Sequence, residues 1–289
     1  MTTEAKIWDE TPCVLGEGAF WHPVRQQFFW FDIVKCRMHT RESGRHRTWA
    51  FEEHVSAAGW ISDTRLLIAS SSRLFAFDVE SGVREDIHAL EADNPVTRSN
   101  DGRADPWGGF WIGTMGKAAE ERAGAIYRYY KGELRTLYDR VSIPNACCFA
   151  PDRSVAYWTD TRQGVIMRQP LNPDYGWPEG DPEPWLDLSA EDFGPDGAVV
   201  DAAGNLWNAQ WGAGRVAAYA PDGTLLTAIS VPADHATCPA FGGPDLTTLF
   251  VTTATQQLSD AQRAASPHHG MTFAATDTAK GQPEHQVIL

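Results

Sequence analysis

The 289-residue sequence predicts an all-β protein, a six-bladed β-propeller with four-stranded antiparallel blades around a central channel. Alternating apolar segments bounded by turn residues recur in six matching pairs, at spacings of roughly 40 to 50 residues, the length of one four-stranded blade. The 25 Gly and 18 Pro supply the tight turns such a chain needs, and no convincing helical periodicity competes. A β-sandwich would share the short strands but not six equivalent units. Residues 1–289 are therefore expected to form a single propeller domain with no linker.

The pairs run "FFWFDI" with "RMHTRESG", "RLLIASS" with "RLFAFDVESG", and "GFWIGTM" with "GAIYRYYKGE". They continue with "SVAYWTD" and "GVIMRQPLN", "NLWNAQW" and "GRVAAYAPDG", then "TLFVTTA" and "GMTFAATD". Each is a strand rich in aromatic and β-branched residues, a loop, and a second strand ending in a turn. "LSDAQRAASPHH" predicts a turn or two of helix in the loop of the last unit. The N-terminal "AKIWDE" is expected to complete the last blade beside "EHQVIL", which would close the ring and remove exposed sheet edges.

A formal charge of −14 argues against nucleic acid or an anionic membrane as partner, because both demand a basic footprint. No apolar run approaches the ~18 to 20 residues that span a bilayer, and the N-terminus lacks a charged-then-apolar leader pattern. The expectation is a soluble cytoplasmic protein, monomeric or weakly homo-oligomeric, acting on a small molecule. Cys13, Cys36, Cys147, Cys148 and Cys238 have no metal-ligand spacing, and their odd number suggests reduced core thiols. His22, His268 and His269 fall in turns or loops and His54 near the channel, with no catalytic spacing. Neither a G-x-S-x-G nor a P-loop motif occurs.

Each unit carries a turn before its aromatic strand: His22-Pro23, Ser62-Asp63, Asp105-Pro106, Pro151-Asp152, Asp201-Ala202 and Gly243-Pro244. Five residues before each turn, or six in the fourth unit, stand Glu17, Ala57, Asn100, Asn145, Asp196 and Cys238. In a propeller the strand before this turn is the innermost, so these positions converge at one mouth of the channel. Two carboxylates and two amides on such a ring suit a hard divalent cation. Asp196 alone, in "GPDGA", would read as a β-turn, but the turn "DAAGN" follows immediately and leaves it one strand too early. The shared register separates Glu17 and Asn145 from ordinary loop residues.

The segments "LGEGAFW", "RSNDG" with "GGFWIGTM", "IPNACCFAPD", "FGPDGAVVDAAGNLW" and "CPAFGGPDLTTLFVTTA" resemble the regucalcin/gluconolactonase family of sugar lactonases. They occur in family order over nearly the whole chain. The resemblance implies one divalent metal ion, of calcium, zinc, manganese or magnesium, held by Glu17, Asn145 and Asp196. It also implies that Arg98 and Asn100 hold a sugar lactone. Where animal members carry an acidic sugar-contacting residue after "GTM", this chain has Gly116, Lys117 and Ala118, with Glu120 and Glu121 displaced. A lone loop lysine is ordinarily solvated.

Lactone hydrolysis places negative charge on the ring carbonyl oxygen, which a cation can polarise while it orients water. Asp196 is then expected both to bind the ion and to act as general base. Asp101, beside Asn100, is a competing base, or a residue that orients a ligand from behind. Two other readings fit the same ring: a propeller hydrolase of phosphotriesters or other esters, and a non-catalytic calcium-binding propeller.

Overall fold

The computed structural model describes residues 3–289. Six sheets, antiparallel apart from one short added strand, surround a channel, and in each the first strand of the unit is innermost. The inner strands are Gly16–His22, Val55–Trp60, Thr97–Ala104, Pro144–Phe149, Gly194–Val200 and Ala236–Gly242. Their side chains are largely buried on both faces, because one face meets the channel and the other packs between blades. The outermost strands, such as Arg45–Ala50 and Arg84–Ala89, are exposed or half-buried throughout and carry the charge. The six sequence units thus correspond to six blades, and the turns expected between first and second strands close one end of the channel.

Apolar wedges between blades hold the ring. Phe29, Phe31 and Met38 of blade one pack with Leu66, Ile68, Phe75 and Phe77 of blade two, all nearly or fully buried. Each such side chain contributes ~1.5 to 3 kcal/mol relative to its exposed state. Cys13, Cys147, Cys148 and Cys238 are buried and Cys36 half-buried, and all are free thiols, as the sequence suggests. The predicted helix is Asp260–Ala265, begun by a Ser259–Gln262 capping box. Among the described residues, no helix is long and apolar enough to cross a membrane.

The ring closes as expected in one respect and differently in another. Lys6–Asp9 completes the sixth blade, but its partner is Thr272–Ala275, not "EHQVIL". Thr3–Glu4 adds instead to Leu225–Ser230 of blade five. The "EHQVIL" segment lies in a tail that crosses the turn end of the channel. Gln282 Nε2 donates to the carbonyls of Phe149 and Val200, Val287 N donates to Trp60 O, and Ile288 N donates to Gly108 O. A segment with so few alternating positions cannot hold a register in a sheet, whereas its amides and one carboxylate suit the polar ends of four blades. Glu284 pairs there with Arg103, both largely buried.

Removing one partner of a buried ion pair strands the other charge. Glu284→Ala is therefore expected to destabilise the fold by roughly 3 to 5 kcal/mol in equilibrium denaturation. A loss below about 1 kcal/mol, the scale of a surface pair, would show that the tail does not anchor the channel end.

Candidate active site

At the opposite mouth each inner strand carries a β-bulge. Pairing slips between Glu17 and Phe20, Val55 and Ala57, Ser99 and Gly102, Asn145 and Cys148, Pro195 and Ala198, and Ala236 and Pro239. Bulges re-aim side chains, and here they govern which residues face the axis. Glu17 and Asn145 are the last paired residues before their bulges, whereas Asn100 and Asp196 sit one residue further, inside theirs. The fixed offset read from the sequence therefore equates positions that differ by one. In blades two and six the polar residues at the bulge are Ser56 and Thr237, not Ala57 and Cys238. Gly18, following Glu17, has a φ of +58°, and a Cβ there would meet Ser56 O at 2.0 Å, so the "GEG" turn requires glycine.

Despite the offset, Glu17, Arg98, Asn100, Asn145 and Asp196 line one cavity of about 320 Å³, room for a monosaccharide-sized ligand. All five are buried. A run of hydrogen bonds crosses three blades and fixes all of them but Glu17. Arg98 Nη1 donates to Asn100 Oδ1 (2.8 Å), Asn100 Nδ2 to Asn145 Oδ1 (2.9 Å), Asn145 Nδ2 to Thr161 Oγ1 (2.8 Å), and Thr161 Oγ1 to Pro195 O (2.7 Å). Asn208 Nδ2 holds the backbone of Asp196 by its carbonyl (2.9 Å). The relay orients each amide, and the Asn145 carbonyl oxygen keeps a second lone pair.

The carboxylates are electrostatically unsatisfied. Burial first, then the charge of Asp101, pushes Glu17 up to about 8. Burial, then Glu17 and Asp101, holds Asp196 well above the usual carboxylate range. Left to themselves the two hold a proton at neutral pH. Asp196 Oδ1 is buried and has no hydrogen-bond donor among the described residues. Burial also pulls Arg98 down to about 10, against the opposing pull of Glu17 and Asp196. Two desolvated carboxylates, one with an orphaned oxygen, and an amide oxygen form a donor set that fits a hard divalent cation.

The remaining sequence expectations divide. Asp101 does not line the cavity: it is buried beneath it, and its Oδ2 accepts from Cys147 N (2.9 Å) within the bulge that follows Asn145. Lys117 lies exposed on the rim, with Nζ donating to Pro95 O (2.8 Å). Glu120 folds back along its own loop to accept from Ala118 N. His54 stands outside the cavity, near Ser71. His22 is not in the turn but ends the inner strand of blade one, bonded to Ser62 O. Sequence reasoning missed Thr161, Trp211, Gln256 and Gln257 on the cavity wall. Trp211 ends the aromatic strand "NLWNAQW", where alternation alone reads as core.

The family model described as SMP-30/gluconolactonase/LRE-like region matches residues 15–255. The chain is similar to the L-arabinolactonase of Azospirillum brasilense, 33% identical and covering 94% of this chain and 91% of the relative. It is also similar to a 6-deoxy-6-sulfogluconolactonase of Pseudomonas putida, 34% identical with 94% of each covered. The crystal structure of a calcium-binding protein, regucalcin, from Agrobacterium tumefaciens superposes with a TM-score of 0.97 at 42% identity, covering 100% of this chain and 98% of that one. With a family model spanning most of its length and relatives matching nearly end to end, the chain belongs to the SMP-30/gluconolactonase/LRE-like family.

Proposed function

We propose that this protein hydrolyses a sugar lactone to its aldonic acid, using one divalent cation held by Glu17, Asn145 and Asp196. The observation that carries the reading is the pair of buried carboxylates from separate blades, Asp196 with an unpartnered oxygen, at the floor of a cavity also lined by Arg98 and amides. The lactonase relatives support the reaction class, and the similarity to a regucalcin described as a calcium-binding protein supports a cation. When bound, the ion would polarise the lactone carbonyl and lower the pKa of a water molecule.

The chain's own residues supply the rest. Glu17 and Asp196 contribute two negative charges, so a divalent ion is neutralised without being overwhelmed, and Arg98 restores a net positive site. Asn100 orients Asn145 through its amide and presents its own side chain beside the substrate. Arg98 spends Nη1 on Ser99 O and Asn100 Oδ1. Its other N–H groups make no hydrogen bond to the described residues, which leaves them free to bind lactone or hydroxyl oxygens and favour the developing charge. Asp196 takes the proton from attacking water. A carboxylate that binds a cation is a weak base, so polarisation of the water supplies much of the drive. Asp101 acts from below as an orienter of the Asn145 bulge.

The polar wall favours a polyol lactone over an apolar ester or phosphotriester. A panel of 1,4- and 1,5-aldonolactones, with a phosphotriester and an aryl ester as comparators, tests this. Fastest turnover is expected on an aldonolactone. Tight cation binding with no acceleration of any lactone over buffer would replace the reading with a non-catalytic binding propeller.

A further inference from the structure

Among the described residues, the cavity wall near Asp196 contains one aromatic ring, and its setting is specific. Trp211 ends the second strand of blade five, where its backbone pairs with Gly194, two residues before Asp196. The indole and the Asp196 carboxylate line the same cavity. One face of the ring is covered by the His235 imidazole, with centroids 4.0 Å apart and planes 14° from parallel. His235 is buried and anchored through Nδ1 to Gln256 O (3.0 Å). Leu15, Ile33 and Ala254 pack against the indole as well. Trp211 is nonetheless only half-buried, and its uncovered part lines the cavity.

A rigidly backed indole with surface open to a sugar-sized cavity has little to do for folding on that side. Sugars present C–H groups on the faces of their rings, and an aromatic face attracts such apolar, slightly positive surface while hydroxyls reach sideways. The rest of the wall supplies partners for those hydroxyls: Arg98, Asn100, Lys117, Gln256 and Gln257. The cavity is thus two-sided, aromatic on one flank and polar around the remainder. We propose that Trp211 is the stacking platform for the lactone ring, and that it selects substrates presenting an uninterrupted C–H face. This rests on the lactonase reading above. The His235 stack fixes the platform, so that binding does not have to order a free side chain.

The test uses the cation-loaded full chain and the aldonolactone that the wild type turns over fastest. Trp211→Ala is expected to raise KM ~10-fold with kcat within about 3-fold, the signature of lost substrate binding, while Trp211→Phe stays near wild type. Titrating the corresponding sodium aldonate should shift the tryptophan fluorescence of the wild type and leave Trp211→Phe unmoved. Melting temperature and manganese affinity are measured on every variant. An unchanged KM in Trp211→Ala overturns the platform, as does a loss confined to stability, manganese affinity and kcat. A wild type that opens no lactone overturns the lactonase reading and the platform with it. Lactone turnover with a Trp211-independent KM overturns the platform alone.

Discussion

Asp196→Asn is expected to lower lactone hydrolysis by a factor of ~10² or more, and Asp196→Ala by at least as much, the scale of a lost general base or charge stabiliser. The same substitutions should raise the melting temperature of the chelator-treated protein. Asp196 is buried against Glu17, with one oxygen unpartnered, so its charge opposes folding when no cation offsets it. Removing the charge relieves that opposition. Opposite movements of activity and stability distinguish a functional carboxylate from a structural one, whose loss would lower both. Near-wild-type hydrolysis by a cation-loaded Asn variant would remove the assignment of Asp196 as base.

Cation removal should be the other large effect, and its pH dependence follows from the same pair. The folded-state value of Glu17 lies at about 8, above the 4.5 of an unperturbed glutamate. Between these values the folded, cation-free protein holds a proton that the unfolded chain has released. Stability of this form is thus fully present below about 4.5 and is lost as pH rises through about 8. Asp196 shifts in the same direction and adds to the loss. A divalent cation competes for the ionised carboxylates, so its affinity should climb over the same interval and its binding should release protons. Calorimetric melts in chelator at pH 5.5 and 8.0 should show a fall on the order of 5 °C, recovered by excess manganese or calcium. Glu17→Gln should flatten the pH response. A chelated protein whose melting and hydrolysis are unaffected at both pH values would contradict a cation site built on these carboxylates.

Much of this architecture can be read from the sequence because a propeller repeats itself. Six aromatic strands, each preceded by a turn signal, determine which strand lines the channel, and that is enough to bring Glu17, Asn100, Asn145 and Asp196 to one mouth. The residue-for-residue equivalence was out of reach because the spacing from bulge to turn differs between blades. Two paired residues follow the bulge in blade four and three in blades one, three and five, and in blade one the turn signal begins on the last strand residue, His22. Bulge length differs as well. Blade two has a single residue, Ser56, in its slip, and the other inner strands have two, such as Asn100 and Asp101. Period-2 patterning carries no record of such insertions. The tail illustrates a second limit. Gln282 and Glu284 make contacts with blades far away in sequence, and nothing local announces them. Trp211 illustrates a third, since a tryptophan at the end of a buried strand has the same pattern whether it fills a core or faces a ligand.

Oxygen ligands from three blades sharing one ion at the propeller axis are the foundation of the proposed chemistry. An anomalous-difference map from crystals grown with manganese probes that arrangement without an assay. A single strong peak is expected at ~2.0 to 2.4 Å from carboxylate oxygens of Glu17 and Asp196 and the amide oxygen of Asn145. A map without that peak, or with manganese bound only elsewhere, would contradict it.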